Sequence, residues 1–413
     1  MRLEYVMSGM GYILPTVAVQ PSEEFQSIAR SSLKWMNAGD GQQSFAMLFN
    51  AFTELQTAKN LEKWRDLTKL YSDSGGLQMI TLAKKNRGKP PAHADIYATQ
   101  AQYSDYAMCF DEIPVVIHGD KSSIAQGSNR YFDSKLFEQK AKDTAKNLGE
   151  QIQFFRTHGH ITKPFIIAQG NSYQDFRQWV KIIVEELGEL VDDVGGVAMG
   201  SSALGNGELE DYIRAYACKT LEAPEHVKQH LHMLGVGSTK RMIPMLSLTD
   251  VNVISYDSVS HSSESSNFVY TAPAGRASYA RGNINALPTI IADIQKKNSS
   301  LGWHLSESKI RDVLLIQRSK TVFTPEWRHE HDIQKYLIGL YGARNFMDNL
   351  TKIRIDNTSM LERMSESQYN MFRTFRSVND DSQFEEWHRH VGRHGTSRPF
   401  PNAHPSSLHG LFS

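Results

Sequence analysis

Cysteine is nearly absent from this sequence, which has only Cys109 and Cys218 among 413 residues. Two thiols so far apart in the sequence exclude the disulfide framework of small secreted proteins, and they favour a reducing compartment. They also exclude a structural zinc site made mainly of thiolates. We therefore expect the fold to depend on an apolar core, which a chain of this length can bury.

The sequence also lacks an excess of charge of either sign, and it has no long apolar run. Lys and Arg total 45, and Asp and Glu total 45. Attraction to a polyanion would therefore need a local basic patch. No apolar segment is long enough to span a bilayer, and the start from Met1 to Tyr5 lacks the apolar core of a secretion signal. These features predict a cytoplasmic protein without a membrane partner.

Short apolar runs alternate with helical patterns along most of the chain. Ala141, Ala145, Leu148, Ile152 and Phe155 fall on one helix face because their spacing is four, three, four and three. The predicted strands are Gly11–Val19, Tyr106–Phe110, Phe165–Ala168, Val194–Met199, His230–Val236 and Val251–Tyr256. The predicted helices are Leu33–Leu55, Phe176–Leu187, Leu209–Cys218, Ser238–Leu246 and His331–Ile353. Such alternation across short connections predicts an α/β fold with a parallel sheet.

The ends of the predicted strands carry Asp73, Asp111, Gln169, Gly196 and Asp257. In a closed barrel these ends meet at one face, whereas in an open sheet they would be spread along an edge. This convergence favours a TIM-like (β/α)8 barrel with inserted loops over residues 1–330. We expect residues 331–413 to form a mainly helical C-terminal extension that ends in a polar tail rich in His and Arg.

The stretch Asp73-Ser74-Gly75-Gly76 joins an apolar lead-in to a renewed apolar pattern. Asp and Ser suit a helix N-terminus, and the two glycines let the backbone approach a ligand closely. This stretch therefore indicates a carboxylate presented at the end of a strand, where α/β enzymes keep their chemistry. The alternative is a capped helix start without chemistry, because the same residues form ordinary turns.

A basic loop follows this stretch and contains Lys84, Lys85, Arg87 and Lys89. The glycine and prolines of this loop exclude regular structure there. The four cations either contact phosphates or belong to a solvated surface loop, and the residues alone leave both interpretations open.

Five motifs, taken in order, resemble those of the tRNA-guanine transglycosylase superfamily. Asp73-Ser-Gly-Gly-Leu-Gln resembles its D-S-G-G-aromatic-Q turn, and Cys109-Phe-Asp-Glu resembles its A-F-D-E segment. Ile167-Ala-Gln-Gly is similar to V-Q-G, and Val194-Gly-Gly-Val-Ala-Met-Gly to I-G-G-L-A-V-G. Leu234-Gly-Val-Gly, followed by Val253-Ile-Ser-Tyr-Asp, resembles M-G-V-G and the G-x-D-x-F-D segment. The likeness covers Asp73 to Asp257.

The resemblance implies base exchange through a covalent glycosyl-enzyme. By its place in the motif, Asp257 is the nucleophile that attacks C1′, and Asp73 is the acid and base that serves the leaving and incoming bases. Asp111 would accept hydrogen bonds from N1–H and the 2-amino group, while Gln169 and the Gly196 N–H would donate to O6. The base-binding set implied is Asp111, Gln169, Gly196, Val197, Ser74, Leu77 and Leu234. Capping of backbone groups at a strand end is the alternative role for Gln169.

This chain departs from the family pattern at the metal site and after the nucleophile. No cysteine follows Cys218, so the zinc motif C-x-C-x-x-C…H is missing, and we expect no zinc and no other cofactor. A histidine substitute is the alternative, drawn from His329, His331, His388, His390 and His394. Where the family has P-T-R-x-x-R, this chain has Ser258–Ser263 without arginine, and Leu77 replaces the stacking aromatic residue.

These losses favour the DNA-guanine transglycosylase branch of bacteria and phages over a tRNA enzyme. The expected partner is double-stranded DNA with a flipped guanine, in the host cytoplasm if a phage encodes the chain. The predicted DNA contacts are Lys84, Lys85, Arg87, Lys89 and His261, with the Arg-, His- and Trp-containing segment after Arg373. Ser201 stands where enzymes for an aminomethyl base keep a glutamate, which favours the neutral nitrile of preQ0 as the incoming base.

Other functions remain open at this point. A tRNA-guanine transglycosylase that has lost zinc would act on ribose-containing polymers. A non-catalytic nucleic-acid-binding subunit would need neither Asp73 nor Asp257, and the presence of both argues against it. An unrelated barrel enzyme for a sugar phosphate predicts a Gly-rich phosphate loop after the last strands, and no convincing loop of this kind is found.

Overall fold

In the computed structural model, eight parallel strands close into a barrel in the order β1-β8-β7-β6-β5-β4-β3-β2. The strands are β1 (Arg2–Met7), β2 (Gln43–Asn50), β3 (Lys69–Asp73), β4 (Tyr106–Met108), β5 (Lys163–Ala168), β6 (Gly196–Met199), β7 (His230–Met233) and β8 (Val253–Ser258). The structure describes residues 1–9, 22–39, 41–76, 92–117, 130–200, 208–264, 267–279, 284–315, 324–355 and 364–394. The expected (β/α)8 barrel is confirmed.

Helices connect the strands and surround the barrel. They are α1 (Glu23–Met36), α2 (Leu55–Leu61), α3 (His93–Tyr103), α4 (Phe137–Thr157), α5 (Tyr173–Leu187), α6 (Glu208–Lys219), α7 (Glu225–Lys228) and α8 (Thr239–Met242), with 3-10 turns at Glu62–Trp64, Gly188–Asp193, Ile243–Ser247 and Ile284–Ala286. The face of α4 predicted from the spacing Ala141 to Phe155 is buried at all five positions. This burial is the reason that an amphipathic sequence forms a helix here.

Two antiparallel hairpins and five further helices complete the described chain. The hairpins are Val115–Ile117 with Arg130–Phe132, and Val269–Ala272 with Gly275–Ser278. The helices are α9 (Leu287–Ser300), α10 (Glu307–Leu315), α11 (Pro325–Ile355), α12 (Glu366–Arg376) and α13 (Asp381–His394). Helix α11 packs against α1, β1 and the second hairpin. The expected helical C-terminal region is confirmed, and the expected boundary at residue 330 falls inside α11.

The helix predicted over Leu33–Leu55 is wrong in its second half. Helix α1 ends at Met36, and β2 begins at Gln43. Most of β2 is buried, so its apolar run shows no two-residue alternation and cannot be told from a buried helix by periodicity. The break is made by Gly41, which has a φ of +78°, and by Asn37, whose Oδ1 accepts a hydrogen bond from the Phe45 N–H at 2.8 Å.

The first strand of the barrel is Arg2–Met7, which the apolar pattern did not predict. Its polar residue Glu4 is buried inside the barrel, where a purely hydrophobic criterion would not place a carboxylate. The strand predicted at Gly11–Val19 lies outside the described residues.

The C-terminal helices bury an aromatic cluster against the outer helices of the barrel. Phe384 stacks on Tyr216 with ring centroids 4.1 Å apart, and Trp387 lies 5.1 Å from Tyr212. The Trp387 ring is fully buried, and its Nε1 donates to the Thr374 hydroxyl at 3.0 Å. The structure gives no support at this tryptophan to the DNA contact predicted for the segment after Arg373, because the surface of the ring is used to dock α13.

Candidate active site

Asp73 is the last residue of β3 and lies at the carboxyl end of the barrel. It pairs in register with Asn50, the last residue of β2, whose Nδ2 donates to Asp73 Oδ2 at 3.0 Å. Asn50 Oδ1 accepts from the N–H groups of Phe52 and Thr53 at 3.0 and 3.1 Å, which fixes the orientation of the amide. Two backbone N–H groups of the following turn also donate to the Asp73 carboxylate. The carboxylate is therefore held in one position.

The two glycines after Ser74 are required by geometry. Gly75 has a φ of +82°, and a Cβ there would lie 2.4 Å from Phe52 Cβ. A Cβ on Gly76 would lie 2.6 Å from Asp111 Oδ1 and 2.9 Å from the Asp111 carbonyl oxygen. The Gly-Gly pair thus lets the Asp73 turn and the segment after β4 approach each other, and it brings two carboxylates to one place.

Asp111 and Gln169 form a buried pair beside this turn. Gln169 Nε2 donates to Asp111 Oδ2 at 2.8 Å. A Cβ on Gly200 would lie 2.7 Å from the Gln169 amide, so the backbone directly after β6 packs closely against the pair. Within the described part of the chain, Gln169 Oε1 and Ser74 Oγ are buried without a hydrogen-bond partner. Unsatisfied buried polar atoms are rare in folded proteins, and these two lie in the Asp73 turn and the Asp111–Gln169 pair.

Asp257 lies near the end of β8, on the other side of the barrel mouth. Its side chain is 14% exposed, and its Oδ1 accepts from the Gly235 N–H at 2.7 Å. His232 Nε2 lies 3.4 Å from the same oxygen. The carboxylate therefore reaches solvent while the Gly235 N–H holds its Oδ1, and His232 Nε2 lies beside the same oxygen without a hydrogen-bond partner among the described residues.

A buried ion cluster holds the Gly235 N–H in place. Arg241 Nη1 donates to the Gly235 carbonyl at 2.6 Å, and Arg214 Nη1 donates to the Leu234 carbonyl at 3.4 Å. Both guanidinium groups also bond to the buried carboxylate of Asp211. Because the backbone on both sides of this loop is tethered, its N–H group is pre-positioned toward the barrel mouth.

Burial and mutual repulsion raise the pKa of two carboxyl groups at the mouth. Desolvation raises the pKa of Asp73 to about 6, with a further contribution from the negative charge of Asp257. Desolvation raises the pKa of Asp111 to about 7, and Asp73 adds to this rise. Hydrogen bonds from the turn N–H groups, Asn50 and Gln169 oppose both increases. A pKa of about 6 brings the protonation equilibrium of Asp73 close to neutral pH.

The structure brings together Asp73, Ser74, Asp111, Gln169, Leu234 and Asp257, in agreement with the expected convergence of strand ends. Gly196 and Val197 lie elsewhere. They are the first two residues of β6, which ends at Met199, so they lie about 7–10 Å before the mouth at about 3.3 Å per residue. A Cβ on Gly196 would lie 2.3 Å from the His230 carbonyl oxygen. Packing between strands explains this glycine, and the position of the two residues gives no support to their predicted base-binding role.

The structure gives no support to the DNA contact predicted for His261. The ring is buried, its Nδ1 lies 2.7 Å from the Tyr5 hydroxyl, and it stacks on Phe346 with centroids 5.0 Å apart. Desolvation lowers the pKa of His261 to about 3, so the ring is neutral. His261 joins β1 to helix α11, and a serine-rich sequence gave no sign that this loop is buried.

Several other residues complete the comparison with the sequence. Leu77, Lys84, Lys85, Arg87, Lys89 and Ser201 lie outside the described residues.

Sequence reasoning missed Asn50, Gly200, Gly235 and His232. Asn50 and Gly200 directly follow apolar runs, which was the available signal for a strand end. The signal for His232 was weaker, since a histidine within an apolar strand is more often part of a satisfied core.

No family model matches this chain, and no curated protein matches it. Among the described residues, no group of three or more His, Cys, Asp or Glu side chains could hold a metal ion. No helix in the described ranges is long and apolar enough to cross a membrane. Cys109 and Cys218 are both buried free thiols.

Proposed function

We propose that this chain is a base-exchange transglycosylase that replaces guanine in DNA with a 7-deazaguanine, preQ0. One arrangement supports the proposal: Asp73 and Asp257 face the same barrel mouth, beside the buried Asp111–Gln169 pair. Paired carboxylates suit displacement at an anomeric carbon, where positive charge develops. A neighbouring carboxylate and amide complement the hydrogen-bonding edge of guanine.

In the first step, an oxygen of Asp257 forms a bond to C1′ and the bond from C1′ to N9 of guanine breaks. The protonated Asp73 donates its proton to the leaving base and becomes a carboxylate. Its pKa of about 6 leaves a useful fraction protonated near neutral pH. The negative charge of Asp257 is consumed in the ester, so the second carboxylate forms as the first one disappears.

In the second step, the Asp73 carboxylate takes the proton from N9 of the incoming base. N9 then attacks C1′, and the ester bond to Asp257 breaks. The two residues return to their starting protonation states, so the exchange is balanced without a metal ion or a redox partner. This reversal of roles is that of retaining glycosidases, with a heterocyclic base in place of water.

Base recognition falls to the buried pair. Asp111 accepts hydrogen bonds from N1–H and the 2-amino group, and the second N–H of Gln169 Nε2 donates to O6. The unpartnered Gln169 Oε1 and Ser74 Oγ add polar atoms that a bound heterocycle or its water can satisfy. Leu234, which is partly buried directly after β7, offers an apolar face to the ring.

The segment after Asp257 favours DNA over the tRNA anticodon. Between Ser258 and Ser263 there is no arginine, and the serine hydroxyls are used within the turn itself. Ser258 Oγ bonds to Ser260 Oγ at 2.8 Å, and Ser262 and Ser263 donate to the Val259 carbonyl at 2.9 and 3.0 Å. This turn leaves no side chain of the kind that reads bases outside the pocket.

The test is mass spectrometry of nucleosides after incubation of the purified protein with preQ0 and either duplex DNA or tRNA. We expect the preQ0 deoxynucleoside in DNA with the wild type and none with Asp257→Ala. Asp250→Asn is the matched control, because Asp250 is an exposed carboxylate just before the same strand. A modified tRNA nucleoside instead would assign the chain to the zinc-less tRNA enzyme. No exchange into either polymer would refute the proposed activity.

A further inference from the structure

A continuous row of buried polar groups runs through the barrel interior below Asp257. Glu4 accepts a hydrogen bond from the Tyr71 hydroxyl, and this hydroxyl lies 3.1 Å from His230 Nε2. His230 Nε2 lies 3.0 Å from Ser255 Oγ, which lies 2.9 Å from His232 Nδ1. The row ends at His232 Nε2, 3.4 Å from Asp257 Oδ1. We call these groups, from Glu4 to His232, the interior row.

The donor and acceptor directions in the interior row follow from its far end. Glu4 also accepts from the Ser44 hydroxyl at 2.7 Å, and Arg2 lies 3.8 Å away, so both Glu4 oxygens act as acceptors. The single Tyr71 proton goes to Glu4, and the Tyr71 oxygen can only accept. His230 must therefore carry its proton on Nε2. Desolvation lowers the pKa of His230 to about 3, so this is its only ring proton.

The same assignment of donors and acceptors extends along the row to His232. The Nε2–H of His230 points to both the Tyr71 and the Ser255 oxygens, so Ser255 accepts on this side. The one proton of Ser255 is then free to donate to His232 Nδ1, which is closer, at 2.9 Å, than the competing Leu231 carbonyl at 3.4 Å. A neutral imidazole that accepts at Nδ1 carries its proton at Nε2. That nitrogen faces Asp257.

The position of this proton matters because of how Asp257 is held. His232 Nε2 and the Gly235 N–H both face Oδ1, while Oδ2 accepts no hydrogen bond from the described residues. The His232 ring has little freedom to turn, since it is fully buried and stacks on Tyr71 with centroids 5.5 Å apart. A contraction of about 0.5 Å would complete the bond to Oδ1.

We propose that the interior row fixes His232 as its Nε2–H tautomer, so that His232 and Gly235 hold Oδ1 of Asp257 and leave Oδ2 free to attack. His232 is thus a positioning residue. This inference rests on the proposed role of Asp257 as the nucleophile. It adds that Glu4, which pairs in register with Ser255 two residues before Asp257, sets the proton position beside that nucleophile.

The first test reads the tautomer directly and does not depend on activity. Long-range ¹H–¹⁵N correlation spectra of the full chain, labelled with ¹⁵N-histidine, distinguish Nε2–H from Nδ1–H and from the doubly protonated ring. The His232 signals are assigned by their loss in His232→Gln. We expect a bare Nδ1 and a protonated Nε2. A proton on Nδ1, with or without one on Nε2, would overturn the proposal.

The second test separates positioning from packing. His232→Gln keeps an N–H donor near the position of Nε2, whereas His232→Phe keeps the ring shape and removes both nitrogens. We expect His232→Phe to lower kcat for exchange by about 10–100-fold with little change in the KM for the base, and His232→Gln to recover most of this loss. His158→Gln, at an exposed histidine, is the control. Equal losses in both His232 variants, or no loss in either, would overturn the positioning role.

The two proposals fail in different ways. A wild-type protein that exchanges no base into DNA or tRNA would refute the proposed function and the kinetic role of His232, while the spectrum would still decide the tautomer. Exchange that depends on Asp257, combined with a proton on Nδ1 of His232, would refute only the inference about the interior row.

Discussion

Two buried polar regions of the barrel differ in how completely their hydrogen bonds are made. In the interior row, the buried polar side-chain atoms of Glu4, Tyr71, His230 and Ser255 all have partners within the described part of the chain, and His232 Nε2, at the end that faces Asp257, has none. At the mouth, Ser74 Oγ and Gln169 Oε1 do lack one. A satisfied network specifies a single arrangement of side chains, whereas an unsatisfied one stores free energy that a ligand can recover.

Because of this difference, we expect the mouth to bind a ligand and the interior row to stabilise the barrel. An unpaired buried polar group costs about 1–3 kcal/mol, so the open atoms at the mouth destabilise the free protein and favour a bound partner. The interior row stabilises the strands and orients His232. On the proposed function, the mouth is the region for binding and chemistry, and the interior row is its support. Four predictions test this division, from the largest expected effect to the smallest.

Asp73→Asn removes the proton donor at the mouth. Because general acid–base catalysis contributes about 10²–10⁴-fold, we expect the rate of preQ0 exchange to fall by a factor in this range. Single-turnover incorporation of labelled preQ0 into DNA measures it. Asp66→Asn, at an exposed residue just before the same strand, should leave the rate unchanged. A rate for Asp73→Asn close to that of the wild type would show that another group moves the proton.

The same substitution changes the pH dependence of stability. Asp73 has a pKa of about 6 in the folded protein and an ordinary value near 3.8. Between these values the folded state binds more protons than the unfolded state, so wild-type stability falls as pH rises through this window. Relative to wild type, Asp73→Asn should gain on the order of 2–3 kcal/mol in free energy of unfolding between about pH 4 and about pH 7. Urea denaturation at both pH values measures the gain, and parallel curves would contradict the raised pKa.

Tyr71→Phe breaks the interior row at its second member. It removes the donor to Glu4 and the acceptor for His230, and we expect the free energy of unfolding to fall by about 1–3 kcal/mol. Tyr106→Phe is the matched control. Its ring lies 4.7 Å from that of Tyr71, and its hydroxyl makes no hydrogen bond to a described residue. If denaturation showed equal effects for the two variants, the interior row would not be a stabilising network.

Gln169→Met removes the amide beside Asp111 with little change in volume. We expect the Kd for preQ0, measured by titration calorimetry, to rise by about tenfold, which corresponds to about 1.4 kcal/mol. Gln174→Met alters an exposed glutamine on the following helix and serves as the control. Unchanged affinity in Gln169→Met would exclude the buried pair from base recognition.

A helix or strand could be predicted where its own sequence shows a periodic apolar pattern or a clear polar end. The spacing of Ala141 to Phe155 predicted helix α4, and polar residues after apolar runs predicted the ends of β3 and β5. Strand β2 was not predictable in this way, because burial of most of its length removes the alternation. Strand β1 was missed because its buried Glu4 is stabilised by Ser44 and Tyr71, partners that only the folded barrel brings near.

The sequence was sufficient to predict which residues belong to the candidate site. It was less informative about where each of them lies in the barrel. Asp73, Asp111, Gln169 and Asp257 stand at strand ends, and closure of the barrel brings such ends together. The register of β6, which separates Gly196 from the mouth, depends on pairing with β5 and cannot be read from a short motif. The burial of His261 is likewise a tertiary effect, since it needs Tyr5 and Phe346 from distant parts of the chain.

The proposed base exchange requires that Asp257 form a covalent bond to the sugar. The most direct measurement is mass spectrometry of peptides from protein quenched in acid during exchange with a guanine-containing duplex oligodeoxynucleotide. We predict an ester on Asp257 in the wild type and none in Asp257→Ala. An active enzyme with no adduct, or with its adduct on another residue, would contradict the account.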